Sequence, residues 1–448
     1  MKLIYGVNDK PKFGQIIIFA IQQLLAILAA TIAVPMIVGN EMSTSAALFG
    51  AGVGTIVYLL FTKFRSPVFL GSSFAFLGSM FAAFGGAASM EVGYLGLVIG
   101  AVFAGLVYVV LAIIIKLVGV KWINKLMPAV VIGPTVSIIG LSLAGNAVGD
   151  ALGGAAKADG AYAMDLKTGL SLICGLITLA VVMLCSVYGK KMAKLIPFVI
   201  GIAAGYAVAA VLTVIGTQCG IESMKIIDFS KFQSMQWYPD FTFIEAFKGI
   251  KAIDGAYIGS IAVAYVPVAL VVFAEHIADH KNLSSIIEKD LLEDPGLSRT
   301  LLGDGVGSMV GAFFGGCPNT TYGESVGCVA ITGNASVITI LTTAILAIVS
   351  AFVAPFVTLL STIPSCVMGG VCISLYGFIA VSGLKMLQTV NLDENKNLFT
   401  ASVILICGIG GMSLKFGKVT LTEIAAALIL GIITNVILSG KKKDSEEN

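Results

Sequence analysis

Stretches of about twenty apolar residues, the length that spans a bilayer as a helix, recur from Phe13 to Leu438 and leave few folds open to this chain. The chain is 57% hydrophobic and 12% charged, with a mean hydropathy of +0.99, where a soluble domain carries about 25% charge. The expected class is therefore an all-α polytopic membrane protein. A soluble enzyme with a large core is the competing class, and repeated spans of this length exceed any buried helix. The first span follows a short Lys-bearing lead without a small-residue cleavage site, so it is read as retained. A net charge of +2 gives no reason to expect nucleic acid. The eight cysteines lack CxxC spacing and are read as packing residues.

Splitting the apolar runs at charges, Pro and Gly gives fourteen expected segments. They lie near 14–38, 43–62, 67–86, 92–115, 128–148, 168–188, 194–215, 256–280, 298–315, 318–332, 335–354, 365–384, 397–414 and 420–439. Cytoplasmic loops carry the excess of Lys and Arg. Placing the N-terminus inside puts 19 of the 27 basic residues in the cytoplasm, from Lys2 to Lys443. The exceptions are Lys157, Lys167, Lys225, Lys231, Lys248, Lys251, Lys415 and Lys418, mostly in two long loops that also carry acids. Both termini are expected in the cytoplasm of a multi-pass protein of the cell membrane.

Segments three and ten are too broken to be plain helices. The third opens with Pro67 and continues Leu70-Gly71-Ser72-Ser73-Phe74-Ala75-Phe76, and the tenth opens with Cys317-Pro318-Asn319-Thr320-Thr321-Tyr322-Gly323. Such residues at membrane depth imply extended backbone leading into a half-helix, tolerated only where it lines a cavity. The two segments stand third in successive sets of seven, which points to a 7+7 inverted repeat with its site between them. The polar stretch from Gly216 to Asp254 is the expected linker between the halves.

Two acid-bearing motifs interrupt the apolar sequence: Ala274-Glu275-His276-Ile277-Ala278-Asp279-His280, and Pro318 to Glu324 in the broken tenth segment. A carboxylate at membrane depth is costly and marks a substrate or proton pathway by default. An ionised carboxylate only accepts hydrogen bonds, whereas the start of a half-helix presents unpaired N–H groups and a positive dipole end. Glu275 and Glu324 with two half-helix starts therefore complement a cyclic imide, which offers N–H donors and carbonyl acceptors. Two carboxylates in one dry site also resist double ionisation, which supplies a proton-binding group tied to occupancy. Glu275 is the expected main proton acceptor.

Asp279 lies one turn from Glu275 on the same face, close to the expected helix end beside Lys281, so a solvated position stays open. Asp304 reads either as a helix-start cap or as part of the proton network. His276 and His280 at i,i+4 lack a third ligand, and no metal is expected. Gly303 to Gly307 and Gly408 to Gly411 look like phosphate loops but lack the βαβ context, so close helix packing is expected.

Taken in order, these motifs resemble one family. Ile21-Gln22-Gln23 with Ala30 to Pro35, Gly71 to Phe76, Ala274-Glu275-His276, Asp290 to Gly296, and Pro318 to Glu324 continuing into Gly327 and Thr332 are similar to the nucleobase–ascorbate transporters, the second family of nucleobase–cation symporters. The likeness is greatest to their bacterial uracil permeases. It implies a core domain of segments one to four (1–127) and eight to eleven (256–354), and a gate of segments five to seven (128–255) and twelve to fourteen (355–448). It also implies that Glu275 and Glu324 contact the base. The backbone near Phe74 and Gly323 would meet its carbonyls, with Ala30, Tyr322 and Tyr376 packed around it. The implied activity is proton-coupled import of a nucleobase, uracil first, with no cofactor other than the proton. The expected partners are the substrate, the bilayer and a second copy in a homodimer.

Three departures bear on substrate. Gln22-Gln23 stands where members often have Gln-His, Asp279 where uracil permeases have His, and Ser325 and Gly333 where they have Asn and Arg. Asp279 keeps import of xanthine or urate as the alternative, while Glu324 favours uracil. An anion carrier of the related sulfate-permease architecture would want a cation or bare helix ends at its site rather than two carboxylates. No nucleophile–base pair marks an enzyme.

Overall fold

The computed structural model describes residues 3–119, 122, 127–155, 157–190, 192–416 and 419–439. Lys2, Lys121, Lys125, Lys191, Lys418 and Lys441 to Lys443, used above for orientation, lie outside the described residues.

The first half contains α1 (Phe13–Val38), α2 (Thr44–Phe61), strand β1 (Leu70–Ser72), α3 (Leu77–Gly85) and α4 (Met90–Val118). A kinked pair follows, α5 (Ala129–Ser142) and α6 (Ala144–Ala151), then α7 (Leu166–Tyr188) and α8 (Pro197–Cys219). The linker carries a short helix α9 (Thr242–Gly249) that the composition did not suggest. The second half runs α10 (Gly255–Ile287), α11 (Leu297–Gly315), β2 (Asn319–Thr321), α12 (Gly323–Thr332) and α13 (Val337–Ser350). It ends with α14 (Ala354–Ser361), α15 (Ser365–Leu387), α16 (Asn395–Ile409) and α17 (Glu423–Ser439).

Every expected segment contains a helix, but not every helix is a span. Among the described residues, eight are long and apolar enough to cross a membrane when α5 and α6 are taken together as Ala129–Ala151, or nine if α13 and α14, bent by 82°, are one span. Pro355 at the start of α14 accounts for that bend, since its ring removes a donor and restricts the residue before it.

Two expectations are corrected here. Helix α10 does not end near 280; it continues to Ile287, so Asp279 sits within a helix and is half-buried rather than solvated. Asp304 is no helix-start cap, because α11 begins at Leu297 and Asp304 lies well inside it, fully buried.

Glycines let two pairs of helices approach closely. A Cβ on Gly54 would lie 2.7 Å from the Gly307 carbonyl oxygen between α2 and α11, and one on Gly305 would lie 3.0 Å from that of Gly105 on α4. This is the packing expected for Gly303 to Gly307, since small residues allow backbone contact between helices in a membrane. Five cysteines are buried as packing groups, whereas Cys219 at the end of α8 is exposed.

Candidate functional site

The two broken segments meet. Strands β1 and β2 pair antiparallel, with Leu70 opposite Thr321, Gly71 opposite Thr320 and Ser72 opposite Asn319. The Ser73 N–H donates to the Pro318 carbonyl at 2.9 Å and the Tyr322 N–H to that of Phe69 at 3.3 Å, extending the ladder at both ends. All six strand residues are buried. Their backbone groups, which have no water to turn to, satisfy one another. Gly71 is needed because a Cβ there would collide with the Tyr322 ring, and the Tyr322 hydroxyl donates to the Ser72 carbonyl at 2.8 Å. From this ribbon the chain turns into a 3₁₀ turn at Phe74–Phe76 on one side and into α12 at Gly323 on the other. Both helix starts thus sit beside one strand pair.

A cavity of about 430 Å³ opens at this point, within the range of small-molecule sites. One wall is polar: Phe74 and Ala75 from the first broken unit, Thr320, Thr321, Tyr322, Gly323 and Glu324 from the second, and Glu275, Ala278 and Asp279 from α10. The other wall is mostly apolar: Val136 and Ile139 of α5, Phe198 of α8, and Leu375, Phe378, Ile379, Ser382 and Met386 of α15. Glu275 and Gly323 are exposed residues in the middle of a helical bundle, and the space they are exposed to is this cavity. The Thr321 hydroxyl donates to Asp279 Oδ2 at 2.8 Å, which joins α10 to the strand ribbon. The Thr320 hydroxyl, also on the wall, is buried without a partner among the described residues.

Five of the seven residues expected around a substrate line the cavity: Phe74, Glu275, Tyr322, Gly323 and Glu324. Tyr322 presents its ring and backbone, its hydroxyl being committed to Ser72. Ala30 and Tyr376 are buried and do not line it; Tyr376 stands behind Phe74, ring centroids 6.1 Å apart and nearly perpendicular. Asp279 lines the cavity, whereas Asp304 does not. Asp304 bonds instead to His276, Oδ2 to Nδ1, at 2.7 Å. The apolar wall escaped the sequence reading, because Val136, Phe378 or Met386 in a membrane helix looks like any lipid-facing residue.

Two of the departures noted above turn out to be neighbours. Gln23 of α1 donates through Nε2 to Ser325 Oγ at 2.6 Å, and the Phe69 N–H donates to the same oxygen at 3.1 Å. Ser325 thereby ties α12, the strand ribbon and α1 together directly behind Glu324.

Comparison with known proteins fits this geometry. A family model, Xan_ur_permease, described as a permease family, matches residues 14–416. The chain belongs to that permease family. It is 40% identical to a uracil permease of Bacillus caldolyticus over 99% of this chain and 97% of that one. It is 37% identical to a uracil permease of Bacillus subtilis, covering 100% and 98%, and 34% identical to one of Escherichia coli, covering 96% and 93%. Among solved structures it resembles the transmembrane domain of a cyanobacterial bicarbonate transporter, BicA, with a TM-score of 0.64 at 16% identity, covering 96% and 100%. It also resembles the murine anion transporter Slc26a9 in an inward-facing state, with a TM-score of 0.68 at 11% identity, covering 96% and 69%. These structures share the fold alone. The chain is thus a multi-pass membrane protein of a permease family.

Proposed function

We propose that this permease imports uracil across the cell membrane together with protons. The observation that carries the reading is the convergence of Glu275, Glu324 and two helix starts on one cavity. Uracil offers two ring N–H groups, which carboxylates accept, and two carbonyls, which helix-start N–H groups donate to. The apolar wall of Phe198, Leu375 and Phe378 suits the faces of a flat ring. The relatives named as uracil permeases match over nearly the whole chain, which favours uracil over xanthine or urate. The structures of similar fold are a bicarbonate transporter and an anion transporter, but two carboxylates would repel an anion here.

Coupling follows from the same carboxylates. Two negative charges in a cavity lined largely by apolar side chains repel, so loading the site and taking up a proton are linked. In this reading Glu275 accepts the proton and Asp279, one turn along α10, tunes it. A loaded, neutral site can then change sides without carrying a bare charge through the bilayer.

Ser382 and Met386 line the cavity near the end of α15, beside Lys385, which the charge pattern assigns to the cytoplasm. We read the cavity as facing inward. The fourteen segments then form two inverted sets of seven. A core (α1 to α4, α10 to α13) carries the polar wall, and a gate (α5 to α8, α14 to α17) slides its apolar wall past it. Uptake of labelled uracil into proteoliposomes, with and without an imposed pH gradient, tests the reading. Accumulation should require the gradient and be competed by unlabelled uracil far better than by xanthine or urate. Uptake indifferent to the gradient would remove proton coupling, and stronger competition by xanthine would remove uracil.

A further inference from the structure

Helix α10 carries a pair of acids and a pair of histidines, each at i,i+4, and of these two pairs the acids face the cavity. Glu275 and Asp279 line it, while His276 and His280 are buried with no exposed surface. The second pair follows the first by one residue, which turns it about 100° around the helix. Each ring nitrogen of the histidines has a partner. His276 Nδ1 meets Asp304 Oδ2 at 2.7 Å and its Nε2 meets Thr300 Oγ1 at 3.0 Å, both on α11. His280 Nδ1 meets the His276 carbonyl at 2.8 Å and its Nε2 meets the Tyr58 hydroxyl of α2 at 2.7 Å. Tyr58 bonds in turn to Ser66 at 2.7 Å, and the imidazoles stack with centroids 4.0 Å apart.

The proton positions follow from what each group can do. A carbonyl only accepts, so His280 Nδ1 carries the hydrogen, Nε2 accepts from Tyr58, and the Tyr58 oxygen accepts from Ser66. Thr300 donates to the Leu297 carbonyl at 3.0 Å, so its oxygen accepts from His276 Nε2–H. His276 Nδ1 and Asp304 Oδ2 then share one proton, and the pair is neutral as a unit. Tyr58 and Tyr108, whose ring stands edge-on to His276 at 6.3 Å, are the other titratable groups facing it from α2 and α4. None of these bonds leads to the cavity. The chain from His276 ends on the Leu297 carbonyl, and that from His280 ends on the His276 carbonyl, neither of which passes a proton on.

We propose that His276 and His280 are positioning residues of the uracil site. They fix the rotation of α10 by bonding it to α11 and α2, and so aim Glu275 and Asp279 at the cavity. Asp304 acts through His276 and does not exchange protons with the substrate. This rests on the uracil reading for its transport arm only.

The substrate-free arm places a cysteine at Ala278, which lines the cavity, and follows its alkylation by a small maleimide, read at that peptide by mass spectrometry. In a His276→Leu background the labelling rate should fall several-fold. In His276→Asn, whose amide keeps an N–H towards Asp304, it should stay near that of the parent. Should His276→Leu fail to reach the membrane, His280→Leu against His280→Gln, which keeps an acceptor for Tyr58, makes the same comparison. Equal rates in all backgrounds would overturn the proposal. The transport arm uses Asp304→Asn and a double-mutant cycle with His276→Leu, which removes the bond to Asp304. Uracil affinity and uptake should fall together, the two substitutions should be far from additive, and the pH profile of uptake should not move. An Asp304→Asn protein that binds uracil as the parent does but no longer accumulates it under a pH gradient would make Asp304 a proton carrier and overturn the proposal. If the parent binds no uracil, the uracil reading fails while the labelling arm still decides the positioning role.

Discussion

The two broken units, Leu70 to Gly85 and Asn319 to Thr332, share one backbone plan and differ in what they bring to the cavity. Each runs as a buried strand of three residues into a helix start. The first unit is uncharged throughout and offers the cavity only Phe74, Ala75 and backbone. The second offers Thr320, Thr321 and Glu324, and Ser325 behind them ties it to α1. The difference teaches that strand pairing solves the membrane problem for both units at once, which leaves one of them free to bring polar side chains to the cavity. Substitutions in the second unit should therefore change what is bound. Those in the first should change how firmly the cavity is built.

The largest expected effect lies beside both units, on α10. Glu275→Gln should abolish gradient-driven uracil accumulation whatever binding remains, because the amide cannot take up the proton. Accumulation at the parent level in proteoliposomes under a pH gradient would remove Glu275 from coupling. Next comes Gly71→Ala, which tests the shared backbone. Its methyl would push the Tyr322 ring off Ser72, and both the thermal midpoint in detergent and uracil binding should fall markedly. A stable, fully binding Gly71→Ala protein would show that the ribbon is not what holds the cavity. Phe74→Leu should lose the aromatic contact with Tyr376, about 0.5–1.5 kcal/mol of stability, read as a small fall in the thermal midpoint in detergent; an unchanged midpoint would remove that contact from what holds the cavity.

The smallest effect belongs to the loop that follows α10. Lys289 and Arg65, each 2.7 Å from Asp294, hold its carboxyl below the usual aspartate range. A group whose pKa is depressed in the folded state stabilises above the unfolded value, near 3.9, and loses that contribution as the pH falls through the folded one. Asp294→Asn should therefore lower the thermal midpoint slightly at neutral pH, since exposed pairs contribute little. The difference from the parent should vanish in stronger acid. A difference that grows on acidification would contradict the assignment.

The sequence showed the two broken units well, because Pro67 with Gly71 to Ser73 and Pro318 with Asn319 to Gly323 cluster breakers and polar residues, unlike the lone Pro134 and Pro267 inside helices. It also singled out Glu275, an acid in an apolar run, and Glu324, an acid at the start of a half-helix, and both line the cavity. Side-chain pairing across the fold was not legible. Gln23 and Ser325 are 302 positions apart, and nothing local says that one bonds the other. Asp304, flanked by glycines, read either as a cap or as part of the proton network, and only the packing of α11 against α10 reveals His276 as its partner. The end of α10 was misplaced because Lys281, Asn282 and Ser284 look like a loop. In the fold Leu283 and Ile287 are buried on one face and carry the helix on.

The central claim is that Glu324 gives the second unit its grip on the base, and calorimetric titration of uracil into the purified protein tests it most directly. Loss of one charge-assisted hydrogen bond costs about 1.5–3 kcal/mol. The account predicts that Glu324→Gln binds uracil roughly ten- to a hundredfold more weakly than the parent, with xanthine losing less. Equal uracil affinity in the two proteins would contradict it.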